Sequence, residues 1–200
     1  MAEKVSLGLP GLSTSPGTHL CAFFRGNHER NRILFPYVRE GLRVGDKCFC
    51  AFDAANRDAF DAELATEIDV ESAGDQLDAA MSSDTYLGRG AFSGPAMLEF
   101  WDQWASGALD DGRFPFARAG GEMTRTITEV ISPAELVAYE SELNRFVPRY
   151  PQVLLCLYDL NDFSGQLLAD IMQTHPKVLM GSTVLENLYY VEPDDLLARR

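Results

Sequence analysis

The chain has 200 residues and a formal net charge of −13, a length suited to about one domain with a single core. That acidity weighs against direct binding of nucleic acid, whose affinity comes mostly from Lys and Arg neutralising phosphates, and equally against anionic membrane surfaces. There is no apolar run fit to span a bilayer, and Met1–Gly17 lacks the basic start and apolar core of a signal peptide, which together predict a soluble cytoplasmic protein.

Residues 1–16 mix Gly, Ser, Thr and Pro without periodicity and are expected to be a mobile lead-in. His19–Phe24 is the first predicted strand. A short polar loop leads to a helix over Glu29–Leu42, where Ile33, Leu34, Tyr37, Val38 and Leu42 fall on one face. Pro36 is expected to kink that helix, and Gly41 and Gly45 to stop it. Strand Cys48–Phe52 follows, and its continuous apolar character suits a parallel sheet covered on both faces. This βαβ unit sets its loop where a P-loop ATPase cradles phosphate. Such a loop requires Gly-x-x-x-x-Gly-Lys-Ser/Thr, so that backbone N–H groups, a Lys and a metal-binding hydroxyl converge on the nucleotide. Counted from Gly26, the last three places hold Asn31, Arg32 and Ile33, and Glu29 adds negative charge where phosphates would lie. The topology is that of a nucleotide site; the chemistry is not.

Further along, Asp53 is expected to cap a helix over Ala54–Glu67, followed by short strands at Ile68–Val70 and Gln76–Ala79. Ser93-Gly94-Pro95 opens a helix whose Met97, Phe100, Trp101 and Trp104 share a face, an aromatic stripe that reads as core. Phe114–Ala119 is predicted as a strand, and Gly120-Gly121 after it permits a tight turn or close approach. Ser132 and Glu135 form a capping box for a helix running to Phe146. The most apolar strand, Val153–Asp159, ends in a carboxylate, where ATPases deliver the Asp that orients the metal ion. A helix over Ser164–Thr174, a strand at Val178–Met180 and a closing strand at Leu188–Val191 complete the reading, with a helical or frayed tail. The fold class is α/β: three layers, a mostly parallel central sheet with helices on both faces, degenerate P-loop ATPase-like.

The four cysteines, Cys21, Cys48, Cys50 and Cys156, sit in apolar strand-like runs and read as buried, reduced thiols. His19 and Cys21 share a strand face, and with Cys156 they would offer a soft metal a trio of ligands. Against this, no paired ligands occur at loop-like spacings, and a core histidine bonded to backbone is the expected state. His28 is expected to be exposed and His175 to cap a helix C-terminus. In open α/β sheets ligands bind beyond the carboxyl ends of the strands. That places Phe24, Arg25, Asp53, Arg118 to Met123 and Tyr158 to Asn161 near a pocket. Glu122 and Asp159 are expected in one crevice, with Glu122 available to pair with Arg118 or Arg25. No Ser/His/Asp order or nucleophile elbow supports covalent hydrolysis.

Several segments in order resemble the MEDS domain, a sensory domain named for methanogen and methylotroph regulators and a degenerate relative of RecA/KaiC-type ATPases. They are Gly17-Thr-His-Leu-Cys21 with Phe24, Phe35-Pro-Tyr-Val-Arg-Glu-Gly-Leu42 with Gly45-Asp46, and Arg118-Ala-Gly-Gly-Glu-Met-Thr124. Tyr139-Glu140 with Leu143-Asn144, Leu155-Cys-Leu-Tyr-Asp159, Thr174-His-Pro176 and Asn187-Leu-Tyr-Tyr190 with Pro193 continue the series. Arg125 stands where the family usually has an aromatic residue, and Leu188 where it tends to have Pro. The resemblance spans residues 17–193, leaving 194–200 as a tail, and implies a non-catalytic sensory role proposed for small hydrocarbon derivatives. Such domains are usually attached to DNA-binding, kinase or anti-sigma modules, for which the leftover residues are too few, so a stand-alone sensor or a fragment of a larger regulator is expected. The candidate ligand-binding set is His19, Cys21, Phe24, Arg25, Arg118, Glu122, Met123, Tyr158 and Asp159. No cofactor is named by these residues, and the expected partners are a small organic molecule, a regulatory protein and a second copy of the chain. Two alternatives stay open. One is a divergent nucleotide hydrolase with Arg32 in place of Lys and Asp159 holding magnesium; the other is an interaction domain without a ligand.

Overall fold

A computed structural model describes residues 4–88, 91–110, 112–181 and 183–198. The chain opens with β1 (Val5–Ser6) and β2 (Ser13–Thr14), which pair antiparallel. There follow β3 (Thr18–Phe24), α1 (Gly26–Val44), β4 (Lys47–Phe52), α2 (Arg57–Glu67), α3 (Val70–Ala73), β5 (Leu77–Met81), α4 (Ser82–Leu87) and α5 (Gly94–Leu109). The second half holds β6 (Ala117–Met123), α6 (Arg125–Thr128), α7 (Pro133–Phe146), β7 (Gln152–Asp159), α8 (Gly165–Met172), β8 (Lys177–Met180), β9 (Thr183–Glu186) and α9 (Pro193–Leu197). Seven strands make one sheet in the order β5-β4-β6-β7-β3-β8-β9. Its pairings are parallel except that of β8 with β9.

Strand alternation splits the core into two layers. Leu20, Ala22 and Phe24 of β3, with Val153, Leu155 and Leu157 of β7, pack under Ile33, Leu34, Phe35 and Val38 of α1 and Phe60 and Leu64 of α2. On the opposite face Cys21, Cys156 and Tyr158 join Met97 and Trp101 of α5, Leu136, Tyr139 and Leu143 of α7, and Ile171 of α8. The strands read as continuous apolar runs because helices cover both sides. Among the described residues, no helix is long and apolar enough to cross a membrane.

The α/β class with a mostly parallel sheet holds, and the departures from expectation are local. Where an unpatterned lead-in was expected, residues 4–16 carry the β1–β2 ribbon, and Leu7, 1% exposed, packs in the α1-side core. Asn56 caps α2 in place of Asp53: its side chain accepts from Ala59 N, while Asp53 accepts from Ser83 N. The stretch from Ile68 is no strand, since Asp69 accepts from Ser72 N and starts α3. Strand β6 begins at Ala117, later than expected, and runs straight through Gly120 and Gly121. Those glycines serve close approach, not a turn: a Cβ on Gly120 would lie 2.7 Å from Leu34 Cδ1, and one on Gly121 2.9 Å from Tyr86 Oη. The sheet closes with β9, whereas Leu188 and Tyr189 are exposed. Helix α1 starts earlier than expected, at Gly26, and runs through Pro36 to Val44. It ends at Gly45 in the left-handed region (φ 90°), whose N–H reaches the Gly41 and Leu42 carbonyls.

Candidate functional site

After β3 the chain crosses through α1 to β4, on one side of β3 in the sheet. After β7 it crosses through α8 to β8, on the other side. The two connections leave to opposite faces of the sheet, α1 packing over one and α8 over the other, so the ends of the neighbouring strands β3 and β7 lie where open α/β sheets form a ligand crevice. Here the loop is closed by its own side chains. Gly26 N–H donates to Asp159 Oδ2 at 2.8 Å, and Arg25 N–H donates to Glu29 Oε2 at 2.7 Å. Asn161 N–H donates to Asp159 Oδ1 at 2.8 Å, and Leu160 N–H to the Phe24 carbonyl at 2.8 Å. A helix N-terminus attracts anions through just such free N–H groups. In this chain two carboxylates already take the donors at Arg25 and Gly26 that a phosphate would need.

Beyond the loop, α1 turns Arg30 inward until its side chain is fully buried. Its Nη1 donates to Glu122 Oε2 at 3.0 Å and to the Asp53 carbonyl at 3.1 Å. Its Nη2 donates to Glu63 Oε1, and its Nε to Asn31 Oδ1 at 2.9 Å. Glu122 also accepts from Asp53 N–H at 3.1 Å. Burial pushes the Glu122 carboxyl above its ordinary pKa, against the opposing pull of Arg30. The expected partners, Arg118 and Arg25, are not used. Arg118 sits at the amino end of β6, where Nη2 donates to Asp46 Oδ2 at 2.9 Å and Nη1 to the Ser6 carbonyl at 2.9 Å. That is the far end of the strand from Glu122, so Arg118 stands outside the crevice. Arg25 is exposed on the loop. Sequence reasoning missed Arg30, though a signal existed: it precedes Ile33 and Leu34 at helical spacing, which puts it on the inward face.

Phe24 lies in the core beneath α1, while its neighbour Phe23 is only half-buried and lines a groove of about 510 Å³. Leu9, Pro10 and Leu12, from the connection between β1 and β2, wall this groove with Ile33 of α1, and Glu29 and Arg32 supply polar groups. Apolar walls with a few charged groups are the usual lining of a small-molecule site. Met123 and Tyr158 are buried on the opposite core face.

That opposite face also holds a buried polar cluster. His19, on β3, and Cys156, on β7, meet Glu140 of α7 and His175 at the turn after α8, and one ligand atom from each lies within 4.8 Å of all the others. His19 Nε2 is 3.3 Å from Cys156 Sγ and 3.3 Å from Glu140 Oε2. Glu140 Oε2 is 3.6 Å from Cys156 Sγ and 3.4 Å from His175 Nε2. His19 thus bonds side chains, not the backbone expected for it. Burial, with His175 nearby, pushes the His19 pKa down to about 4. For His175 burial alone would lower it, but Cys21, Cys156 and Glu140 hold it well above its usual value. Burial also raises Glu140, yet the two imidazoles beside it keep it below the carboxylate range. The Cys156 thiol is pushed up to about 12 by burial and by Glu140. Cys21, Cys48 and Cys50 are likewise buried and free of disulfides.

The segments that carried the sequence resemblance supply this cluster, and known proteins bear the resemblance out. The family described as MEDS, the MEthanogen/methylotroph, DcmR Sensory domain, matches residues 18–176. The transcriptional repressor DcmR of Methylorubrum extorquens is 26% identical over 171 residues, which cover 82% of this chain. The chain spans about 60% of that repressor's length. The crystal structure of the flagellar accessory protein FlaH from Methanocaldococcus jannaschii matches with a TM-score of 0.55 over 84% of this chain and 75% of that one, at 7% identity. At that identity the likeness speaks for a shared fold alone. The matched family span runs from the first residue of β3 to the last before β8, taking in the crevice and the buried cluster, and the chain belongs to the MEDS family of sensory domains.

Proposed function

We propose that the chain is a non-catalytic sensory domain that takes a small organic molecule in the groove beside the vestigial phosphate loop and passes the signal to a regulatory partner. The observation that carries this reading is the self-occupied loop: Asp159 and Glu29 hold the Gly26 and Arg25 N–H groups, next to a groove walled by Leu9, Leu12, Phe23 and Ile33. Triphosphate would have to displace two carboxylates, whereas an apolar ligand would displace only water. Glu29, Arg32 and Ile33 reach the groove from α1, whose position is set by Asp159 at Gly26 and by Glu122 through Arg30. Of the candidate set, Asp159 and Glu122 therefore act by positioning α1, and Phe23 replaces Phe24 as the aromatic contact.

Titration calorimetry with ATP and magnesium is expected to show no binding tighter than about millimolar. A thermal-shift panel of short-chain alcohols, amines, ketones and carboxylates is expected to yield stabilising ligands that Phe23→Ala weakens about tenfold or more. Magnesium-dependent ATP turnover that disappears in Arg32→Ala would overturn the reading in favour of a divergent nucleotide hydrolase.

A further inference from the structure

We propose that His19 Nε2, His175 Nε2, Cys156 Sγ and a carboxylate oxygen of Glu140 hold one zinc ion in a closed, four-coordinate site. The inference is independent of the groove, whose lining residues it does not use.

The ligand atoms lie at distances suited to zinc. Zinc bonds of about 2.0–2.3 Å to nitrogen, oxygen and sulfur define a tetrahedron with edges of about 3.3–3.7 Å. The separations between ligand atoms are 3.3 Å from His19 Nε2 to Cys156 Sγ, 3.3 Å to Glu140 Oε2, 3.4 Å from His175 Nε2 to Glu140 Oε2 and 3.6 Å from Cys156 Sγ to Glu140 Oε2. Four of the six edges thus have the length a zinc tetrahedron requires, and the two others, from His175 Nε2 to Cys156 Sγ and to His19 Nε2, lie within 4.8 Å.

The two imidazoles are also oriented for it. Asn144 Nδ2 donates to the Thr174 carbonyl at 2.6 Å, which fixes its Oδ1 as the acceptor facing His19 Nδ1 at 3.2 Å. His175 Nδ1 lies 3.0 Å from the Ile171 carbonyl, an acceptor only. Both rings therefore donate their Nδ1–H outward and turn Nε2 towards Glu140 and Cys156. Metal-bound histidines are held by outer hydrogen bonds of this kind.

The cluster also leaves polar atoms unsatisfied. His175 Nε2, Glu140 Oε1 and the neighbouring Tyr158 hydroxyl are buried with no hydrogen-bond partner among the described residues. Unpaired buried polar groups are costly, and a cation held beside Glu140 Oε2 would take up the unpartnered lone pair of His175 Nε2. Charge also balances: a thiolate and a carboxylate neutralise Zn²⁺, the thiol proton leaving to solvent as the sulfur binds. None of the four residues is more than 5% exposed, so no position faces water, as in zinc sites that brace a fold. The ion would tie β3, β7, α7 and the turn after α8 together at one point.

The test is metal analysis of intact protein purified without chelators, followed by titration of metal-free protein with Zn²⁺ and Co²⁺. About one zinc per chain is expected, with a rise in Tm on zinc addition and tetrahedral cobalt spectra that include a thiolate charge-transfer band. Cys156→Ser should abolish that band and His175→Ala the one-to-one binding. Asn144→Ala should keep the stoichiometry but weaken affinity roughly 10–100-fold. Cys48→Ser, on the other face of the sheet, should change nothing, and circular dichroism checks that each variant folds. The zinc-dependent Tm of the unaltered chain decides the matter even where a variant fails to fold. Metal-free protein that ignores zinc, a charge-transfer band that survives Cys156→Ser, or a Cys21–Cys156 disulfide across their paired strand positions would each overturn the proposal.

Discussion

Arg30 illustrates how one buried cation organises the groups around it. Its guanidinium reaches Glu122, Glu63, Asn31 and the Asp53 carbonyl, and it stacks 4.6 Å from the centre of the Phe52 ring. Removing one member of a buried ion pair costs about 3–5 kcal/mol, because the partner's charge stays behind without compensation. Arg30→Met is therefore expected to lower the unfolding free energy by about that amount in urea titrations, and Arg30→Met with Glu122→Met to recover most of it. The pH dependence follows from the direction of the Glu122 shift. A carboxyl whose folded pKa is raised is destabilising above that pKa, and the penalty eases as pH falls towards the unfolded value of about 4.3. Without Arg30 to oppose burial the shift grows. Arg30→Met should thus regain stability between about pH 7 and pH 5 relative to the unaltered protein. Equal losses at both values would count against this account of Glu122.

Helix α7 shows the link from a local sequence signal to a distant site. Ser132 Oγ accepts from Glu135 N–H at 3.2 Å, and Glu135 Oε2 accepts from Ser132 N–H at 2.9 Å, so the capping box read from the sequence is formed. Pro133 begins the helix, and Leu136, Tyr139 and Leu143 bury one side of it. The same helix presents Glu140 and Asn144 to β3 and β7. Loss of such a cap typically costs about 1 kcal/mol. Ser132→Ala is expected to lower stability by roughly that amount and to speed amide exchange in the first turn of α7, with Glu140 and Asn144 still in place. Exchange that accelerates along the entire helix instead would show that the cap holds more than its own turn.

Across the molecule, the terminal ribbon joins the fold to the groove. Leu7 is packed in the α1-side core, and Leu9 and Leu12 beside it form a wall of the groove. Arg118 reinforces the attachment by donating to the Ser6 carbonyl while paired with Asp46. Truncating a buried leucine costs about 2–5 kcal/mol where the surroundings cannot collapse. Leu7→Ala should give a loss within that range in a single cooperative urea transition and should weaken groove ligands as well. A loss below about 0.5 kcal/mol, typical of a surface change, would mean that the ribbon folds apart from the sheet.

The main alternation of strands and helices, the mostly parallel sheet and the departure from the phosphate-loop motif were legible in the residues themselves. Periodicity, caps and glycine stops act over a few positions, and a missing Lys or hydroxyl at Arg32 and Ile33 can be read directly. The misreadings came where competing local signals lay side by side, as with Asp53 against Asn56, or where a strand was ended at a glycine pair through which it runs. The partnerships were a different matter. Arg30 and Glu122 stand 92 positions apart, and His19 and Cys156 stand 137 apart. Only the strand order, which lays β7 between β6 and β3 and carries α7 across one face, brings such residues to hydrogen-bonding distance. Short-range patterns choose helix or strand; the choice of neighbours, and so the groove and the buried cluster, is made by the packing of the whole sheet.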